Sequence, residues 1–212
     1  MSDISAQQVK ELREATGAGM MDCKRALGEA QGDFEAAVEL LRKKGLAGVE
    51  KRASRTANQG RIDSYIHFNN TVGVLVEVNC ETDFVANTDE FKALVKDLAL
   101  HIASPAAPRY VSRDDVPAAE IDRVRGIFRA QAEETGKPPE VVDRIVDGKL
   151  TSHLGDIVLL EQPFVKDDSR TIETLLNDAA AKLGEKVAVR RFARFKLGEA
   201  DLDEAAPEAA AS

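Results

Sequence analysis

An apolar run from Val72 to Val78 stops at Cys80-Glu81-Thr82-Asp83-Phe84-Val85, and a helical pattern starts a few residues later near Thr88 or Asp89. A buried strand must therefore pass into an amphipathic helix across a very short polar connection. Phe91, Leu94, Val95, Leu98 and Ile102 supply the helix's apolar stripe, at i, i+3, i+4, i+7 and i+11. Connections run over the surface, yet this one carries a phenylalanine. Phe84 is either folded back into its own core or left for a partner.

The flanking segments read as an α+β chain. Arg61 to His67 is an expected strand, Asn69-Asn70 a turn, and Val72 to Asn79 the returning arm of a hairpin. Lys186 to Leu197 is a late strand expected to rejoin that hairpin in an antiparallel sheet with helices on one side. Its alternation suggests Val187, Val189, Ala193, Phe195 and Leu197 on one face, with Arg190, Arg194 and Lys196 on the other. Helices are expected over about 117–134 and 139–160, separated by Gly136-Lys137-Pro138 and with an interruption near Gly155. A further helix covers about 171–183.

The first 46 residues read as a separate unit of three short helices. Ser5 to Gln8 has the capping-box pattern, Gly17-Ala18-Gly19 breaks the first helix, and Asp33 is the expected N-cap of the third. Gly45 is expected to end it. The segments are then 1–46 as a three-helix domain, 47–60 as a basic linker, 61–198 as the α+β core and 199–212 as a disordered acidic tail.

With 43% hydrophobic residues, 31% charged residues and no Trp, the core must be mostly aliphatic. A net charge of −8 argues against broad nucleic-acid binding. No apolar run approaches bilayer length and no export signal is visible. Cys23 and Cys80 are expected as free thiols in a reducing cytosol. The basic stretch from Arg42 to Arg61 reads as solvated surface or as the footprint of an anionic partner.

Signals for bond-making chemistry are absent. Gly17-x-Gly19 follows a helix and lacks the third glycine of a dinucleotide loop. His67, His101 and His153 form no metal-ligand pair, and His101 reads as a buried or helix-capping residue. No cofactor, no metal and no catalytic residue is expected. Binding remains, and Met20-Met21 is a second candidate surface. Adjacent helical residues point about a quarter-turn apart, so the pair serves either as core filling or as contact.

Ala18-Gly19-Met20-Met21-Asp22-Cys23-Lys24-Arg25-Ala26-Leu27, Gly32-Asp33 and Asn79-Cys80-Glu81-Thr82-Asp83-Phe84-Val85 resemble the bacterial elongation factor Ts family. So do Gly136-Lys137-Pro138, Gln162-Pro163-Phe164-Val165 and Arg191-Phe192. The resemblance reaches to about Gly198. It implies a guanine-nucleotide exchange factor of elongation factor Tu, working in the cytoplasm without bond-making chemistry. It implies a ubiquitin-associated-like N-terminal bundle that rests near the partner's phosphate-binding loop, with contacts from Met20 and Met21. Thr82, Asp83, Phe84 and Val85 match the tip that, in the family, enters between helices of the partner's nucleotide domain and dislodges Mg²⁺. The residue two past the motif's valine, often basic in the family, is Asn87 here. Longer members carry two copies of the core subdomain plus a coiled-coil hairpin; this chain has room for one copy, as in the short form, which works as a homodimer. The late strand is the expected dimer contact. Two other functions fit parts of the pattern: a ribosome- or nascent-chain-associated adaptor using Arg42 to Arg61 on RNA, and a thiol enzyme using Cys23 or Cys80.

Overall fold

In the computed structural model, which describes residues 4–199, the order along the chain is three helices, a hairpin, five helices interrupted by short strands, and a last strand. Helices Ala6–Thr16 (α1), Met20–Glu29 (α2) and Phe34–Ala53 (α3) surround a small core of Val9, Leu12, Cys23, Ala26, Leu27 and Ala37. Their ends are capped locally. Ser5 and Gln8 close a capping box, and the Asp33 side chain accepts from the Ala36 N–H. Gly17 takes the left-handed conformation that stops α1.

α3 does not end at Gly45 but runs eight residues further, through half of the stretch expected as a linker. The reason is tertiary. Gly45 lies against the Ala181 side chain, Val49 packs on the main core, and the Arg52 guanidinium donates to the Ala180 carbonyl. A glycine that reads as a stop signal is here a point of close helix approach.

Strands Gln59–Ile66 (β1) and Val72–Cys80 (β2) form the expected hairpin, and Ala188–Lys196 (β5) pairs with β2, giving the antiparallel order β1-β2-β5. Gly60 is required at the open end of the hairpin, where it pairs with Asn79, since a Cβ there would lie 2.2 Å from the Val78 carbonyl oxygen. Val74, Val76, Val78 and Cys80 face inward and meet Phe91, Val95, Leu98 and Ile102 of helix Asp89–Ala103 (α5). Thr88 caps α5 by accepting from the Phe91 N–H.

β5 does not follow the simple alternation. A bulge opposite Glu77/Val78 pairs Val78 with Val189 but Glu77 with Arg191, so Arg190 is an extra residue. One extra residue exchanges the two faces. Val187 and Val189 are buried as expected; beyond the bulge Phe192 and Arg194 turn toward the core side, and Ala193, Phe195 and Leu197 turn to solvent. Together with Ile62, Ile66, Phe68 and Leu75, Phe195 and Leu197 are all exposed. Ile66 and Phe195 flank Gly73, whose missing side chain leaves room for the Ile66 δ-methyl. The outer face of the sheet is therefore largely apolar, with the Glu77–Arg191 ion pair (2.8 Å) across it.

Helices Ala118–Glu133 (α6) and Pro139–Ile157 (α7) fold back on one another as a hairpin with its own cores. α7 runs unbroken past Gly155, so the expected interruption is absent. A short ribbon, Pro163–Phe164 (β3) with Asp167–Thr171 (β4), then leads into helix Ile172–Leu183 (α8), capped by Thr171. No helix among the described residues is long and apolar enough to cross a membrane. The acidic tail from Ala200 onward, with its expected disorder, and residues 1–3 lie outside the described residues.

His101, near the end of α5, is fully buried. Its Nδ1 accepts from the Val165 N–H (3.2 Å), which leaves the proton on Nε2 to donate to Gln162 Oε1 (3.0 Å). Gln162 donates in turn to the carbonyls of Ala106 and Asp156. The ring is a neutral structural link, and burial holds its pKa below the ordinary 6.5. The unfolded chain therefore takes up this proton first, so stability is retained above about pH 6.5 and lost as pH falls toward the folded value. The thermal midpoint is expected to fall between about pH 7 and about pH 5. His101→Gln is expected to lower stability at neutral pH yet flatten that slope. Identical slopes for the two proteins, measured by calorimetry, would contradict this role.

Candidate partner-binding site

The end of β2 dictates the geometry of the tip. Cys80 is the last inward residue of the strand, and α5 must begin within a few residues. The connection is a single turn of helix, Asp83–Ala86 (α4), with Thr82 as N-cap accepting from the Val85 N–H at 3.3 Å. Asn87 closes it, its side-chain amide donating to the Asp83 carbonyl at 2.9 Å. Val85 and Ala86 are buried in the main core. Successive residues of a helix are rotated by about 100°, so seating Val85 and Ala86 turns Asp83 and Phe84 outward. Phe84 is 80% exposed. Of the two alternatives for this aromatic, the structure has the one in which its own core does not take it.

Glu81, just before the tip, is held on two sides. The Lys186 N–H donates to its carboxylate at 2.7 Å, and Arg55 lies 3.2 Å away. The Lys186 N–H first, and the Arg55 guanidinium with it, keep that carboxyl below the usual carboxylate range. Cys80 is the opposite case. Burial first, and the nearby Glu185 charge second, push its thiol above the ordinary value, and its S–H donates to the Thr82 carbonyl. A raised, buried thiol is a poor nucleophile. Cys23 is likewise buried.

The second candidate surface begins at the Gly17-Ala18-Gly19 turn. α2 buries Cys23, Ala26 and Leu27, which leaves Met20 (57% exposed) and Met21 (69% exposed) both in solvent. The core-filling alternative thus fails for both methionines. The Lys182 stem lies over Gly17, where a Cβ would sit 3.1 Å from Lys182 Cδ, and its Nζ reaches Glu90 at 2.7 Å. One side chain of α8 thus touches the turn before Met20 and the first turn of the helix after Phe84. Neither Lys182 nor Glu185 carries a local sequence signal, because each acts only through contacts with distant segments.

The described surface thus presents an exposed aromatic on a one-turn helix, an exposed methionine pair on a three-helix unit and a largely apolar outer sheet face, surfaces of the kind that protein partners cover. A family profile described as "Elongation factor TS" matches residues 35–199. The chain is 57% identical over 196 residues to Elongation factor Ts of Thermoanaerobacter sp. (strain X514), covering 92% of this chain and 96% of that relative. Identity is 56% with Elongation factor Ts of Caldanaerobacter subterraneus subsp. tengcongensis (92% and 98% covered) and 54% with that of Geobacter sulfurreducens (92% and 90% covered). The chain belongs to the elongation factor Ts family, and its place is in the elongation stage of protein biosynthesis.

The burial of Cys80 generates one expectation. In native protein near pH 8 neither cysteine should react rapidly with an aromatic disulfide reagent, and both should react at once in denaturant. Fast native labelling of Cys80 would contradict the packing described.

Proposed function

We propose that this chain binds elongation factor Tu carrying GDP and speeds the release of GDP, and its replacement by GTP, in the cytoplasm, acting by contact rather than by bond chemistry. The observation that carries the proposal is the exposure of Phe84 on a tip whose neighbours Val85 and Ala86 are anchored. Thr82 caps the tip, Asp83 and Phe84 face the partner, and Val85 seats it. Burying one Phe side chain contributes roughly 1.5–3 kcal/mol, and each ~1.4 kcal/mol is about tenfold in an equilibrium constant. Phe84 alone therefore offsets about ten- to a hundredfold of nucleotide affinity. Larger effects require a second contact, which Met20 and Met21 supply from the N-terminal module. Asp83 competes for the donors and water shell that hold Mg²⁺ at the diphosphate. Loss of that ion removes the main charge compensation of the nucleotide.

Linkage sets the sign of the antagonism. A factor that weakens nucleotide binding is weakened by nucleotide to the same extent. It therefore accelerates exchange without selecting GDP or GTP.

We further propose that the active species is a homodimer joined through the outer face of the β1-β2-β5 sheet, in keeping with the short form of the family. A two-fold axis places one patch against its copy, and an apolar face of this kind on a monomer is an unfavourable surface to leave in water. In this division of labour residues 1–46 dock on the partner and residues 61–198 carry both the tip and the dimer face. The adaptor alternative loses support from the engagement of the basic stretch: Arg52 donates to the Ala180 carbonyl and Arg55 pairs with Glu81.

Phe84→Ala is expected to slow maximal release of a fluorescent GDP analogue from elongation factor Tu by about ten- to a hundredfold. Because the ring is exposed in the free chain, the same variant should keep its stability within about 0.5 kcal/mol. Unchanged release would remove the wedge. Phe195→Asp is expected to convert a dimer to monomer in sedimentation equilibrium. A monomeric parent protein, or a variant that stays dimeric, would refute the sheet interface.

A further inference from the structure

Glu185-Lys186, the middle pair of the four-residue connection 184–187 between α8 and β5, has no evident task in building either element, yet it makes six hydrogen bonds to two distant places. The Glu185 carboxylate accepts from the N–H groups of Glu81 and Thr82, both at 3.0 Å, and from the Thr82 hydroxyl at 2.6 Å. The hydroxyl that donates to Glu185 is the one that accepts from the Val85 N–H. Its direction as the N-cap of α4 is therefore set by a carboxylate 103 positions away in the chain. Lys186 continues the pattern. Its N–H donates to Glu81, and its ammonium donates to the carbonyls of Ala53 (2.6 Å) and Arg55 (3.0 Å), at the C-terminal end of α3.

A one-turn helix has almost no internal hydrogen bonding with which to hold itself. Burial of Val85 and Ala86 fixes its depth and turns Phe84 outward, but two small apolar side chains hold the finer direction of the ring only loosely. Three bonds from one carboxylate to the two residues before the helix supply the missing constraint. Bonds to a charged acceptor are among the stronger ones available in a partly wet site.

We propose that Glu185 is a positioning residue for the Phe84 wedge, and that the Glu185-Lys186 turn keeps the tip in fixed relation to the end of α3 and so to the N-terminal module. The proposal rests on the exchange function proposed above. In the exchange reaction, misdirecting the ring lowers the rate at which a bound partner releases nucleotide more than it lowers binding, because docking retains the Met20–Met21 module.

The test uses the full chain with Glu185→Ala, Glu185→Gln and, in parallel, Phe84→Ala. Two readouts are needed: amide hydrogen exchange in the free protein, and release of a fluorescent GDP analogue from elongation factor Tu as a function of factor concentration. Glu185→Ala is expected to speed exchange of the Glu81, Thr82 and Val85 amides while the α5 amides stay protected. It should also lower the maximal release rate about tenfold, with the half-saturating concentration changed less than about threefold. Glu185→Gln keeps one acceptor oxygen and should fall between the parent and Glu185→Ala; it carries the test if the alanine variant loses protection in α5. A parental maximal rate, or a raised half-saturating concentration alone, overturns the proposal. If Phe84→Ala also releases GDP at the parental rate, the wedge falls and this proposal with it; if the parent chain itself does not accelerate release over elongation factor Tu alone, the exchange function falls. Unchanged exchange at those three amides would overturn the positioning role independently of any partner.

Discussion

The packing of α5 across β1 and β2 is the constraint on which the rest of the molecule depends. Phe91, Val95, Leu98 and Ile102 are fully buried against Val74, Val76 and Val78. Once that sheet–helix contact is fixed, the chain has only the residues from Glu81 to Thr88 with which to leave the strand and enter the helix. The solution is one helical turn between two threonine caps, Thr82 and Thr88. A turn so short buries one side and must expose the other. The side exposed holds an acid and a phenylalanine. The proposed wedge is thus a consequence of packing geometry rather than an ornament on a loop.

Much of this is legible in the sequence, for identifiable reasons. The 3.6-residue stripe from Phe91 to Ile102 and the apolar run of β2 are strong local signals, and local signals suffice to specify elements. The tip was visible because Phe84 is out of character for its surroundings. What could not be read depends on contacts between distant segments. Gly45 resembles a helix stop, but the Ala181 side chain and the Arg52–Ala180 bond carry α3 on to Ala53. The bulge at Arg190 has no marker in the strand itself, because alternation looks regular until the partner strand fixes the register. Its effect is to turn Phe195 and Leu197 outward beside Ile62 and Ile66, so that the face proposed for dimerisation draws on all three strands rather than on one.

The charged groups divide into two kinds. Many exposed pairs, such as Lys10–Glu14 and Lys43–Glu39, lie along single helices and contribute little individually. Another set joins segments far apart in the chain: Arg55 with Glu81, Lys182 with Glu90, and the Glu185-Lys186 turn with both α3 and the tip. Within this second set Lys182 touches the turn before Met20 and the first turn of α5, and the Glu185-Lys186 pair touches the tip and the end of α3. A factor that must loosen a nucleotide by touching its partner at two points requires that the distance between those points not relax, and these contacts oppose such relaxation.

In the mechanism proposed here the Phe84 ring stands in water in the free chain and is buried by elongation factor Tu, most tightly when nucleotide is absent. Fluorine NMR of a chain carrying a single fluorophenylalanine at position 84 tests it directly. Expected are a narrow, solvent-sensitive resonance in the free chain, a shifted and solvent-insensitive one on adding nucleotide-free elongation factor Tu, and return to the first on adding excess GDP with Mg²⁺. A resonance already shielded from solvent in the free chain, or one that does not respond to the partner, would contradict it.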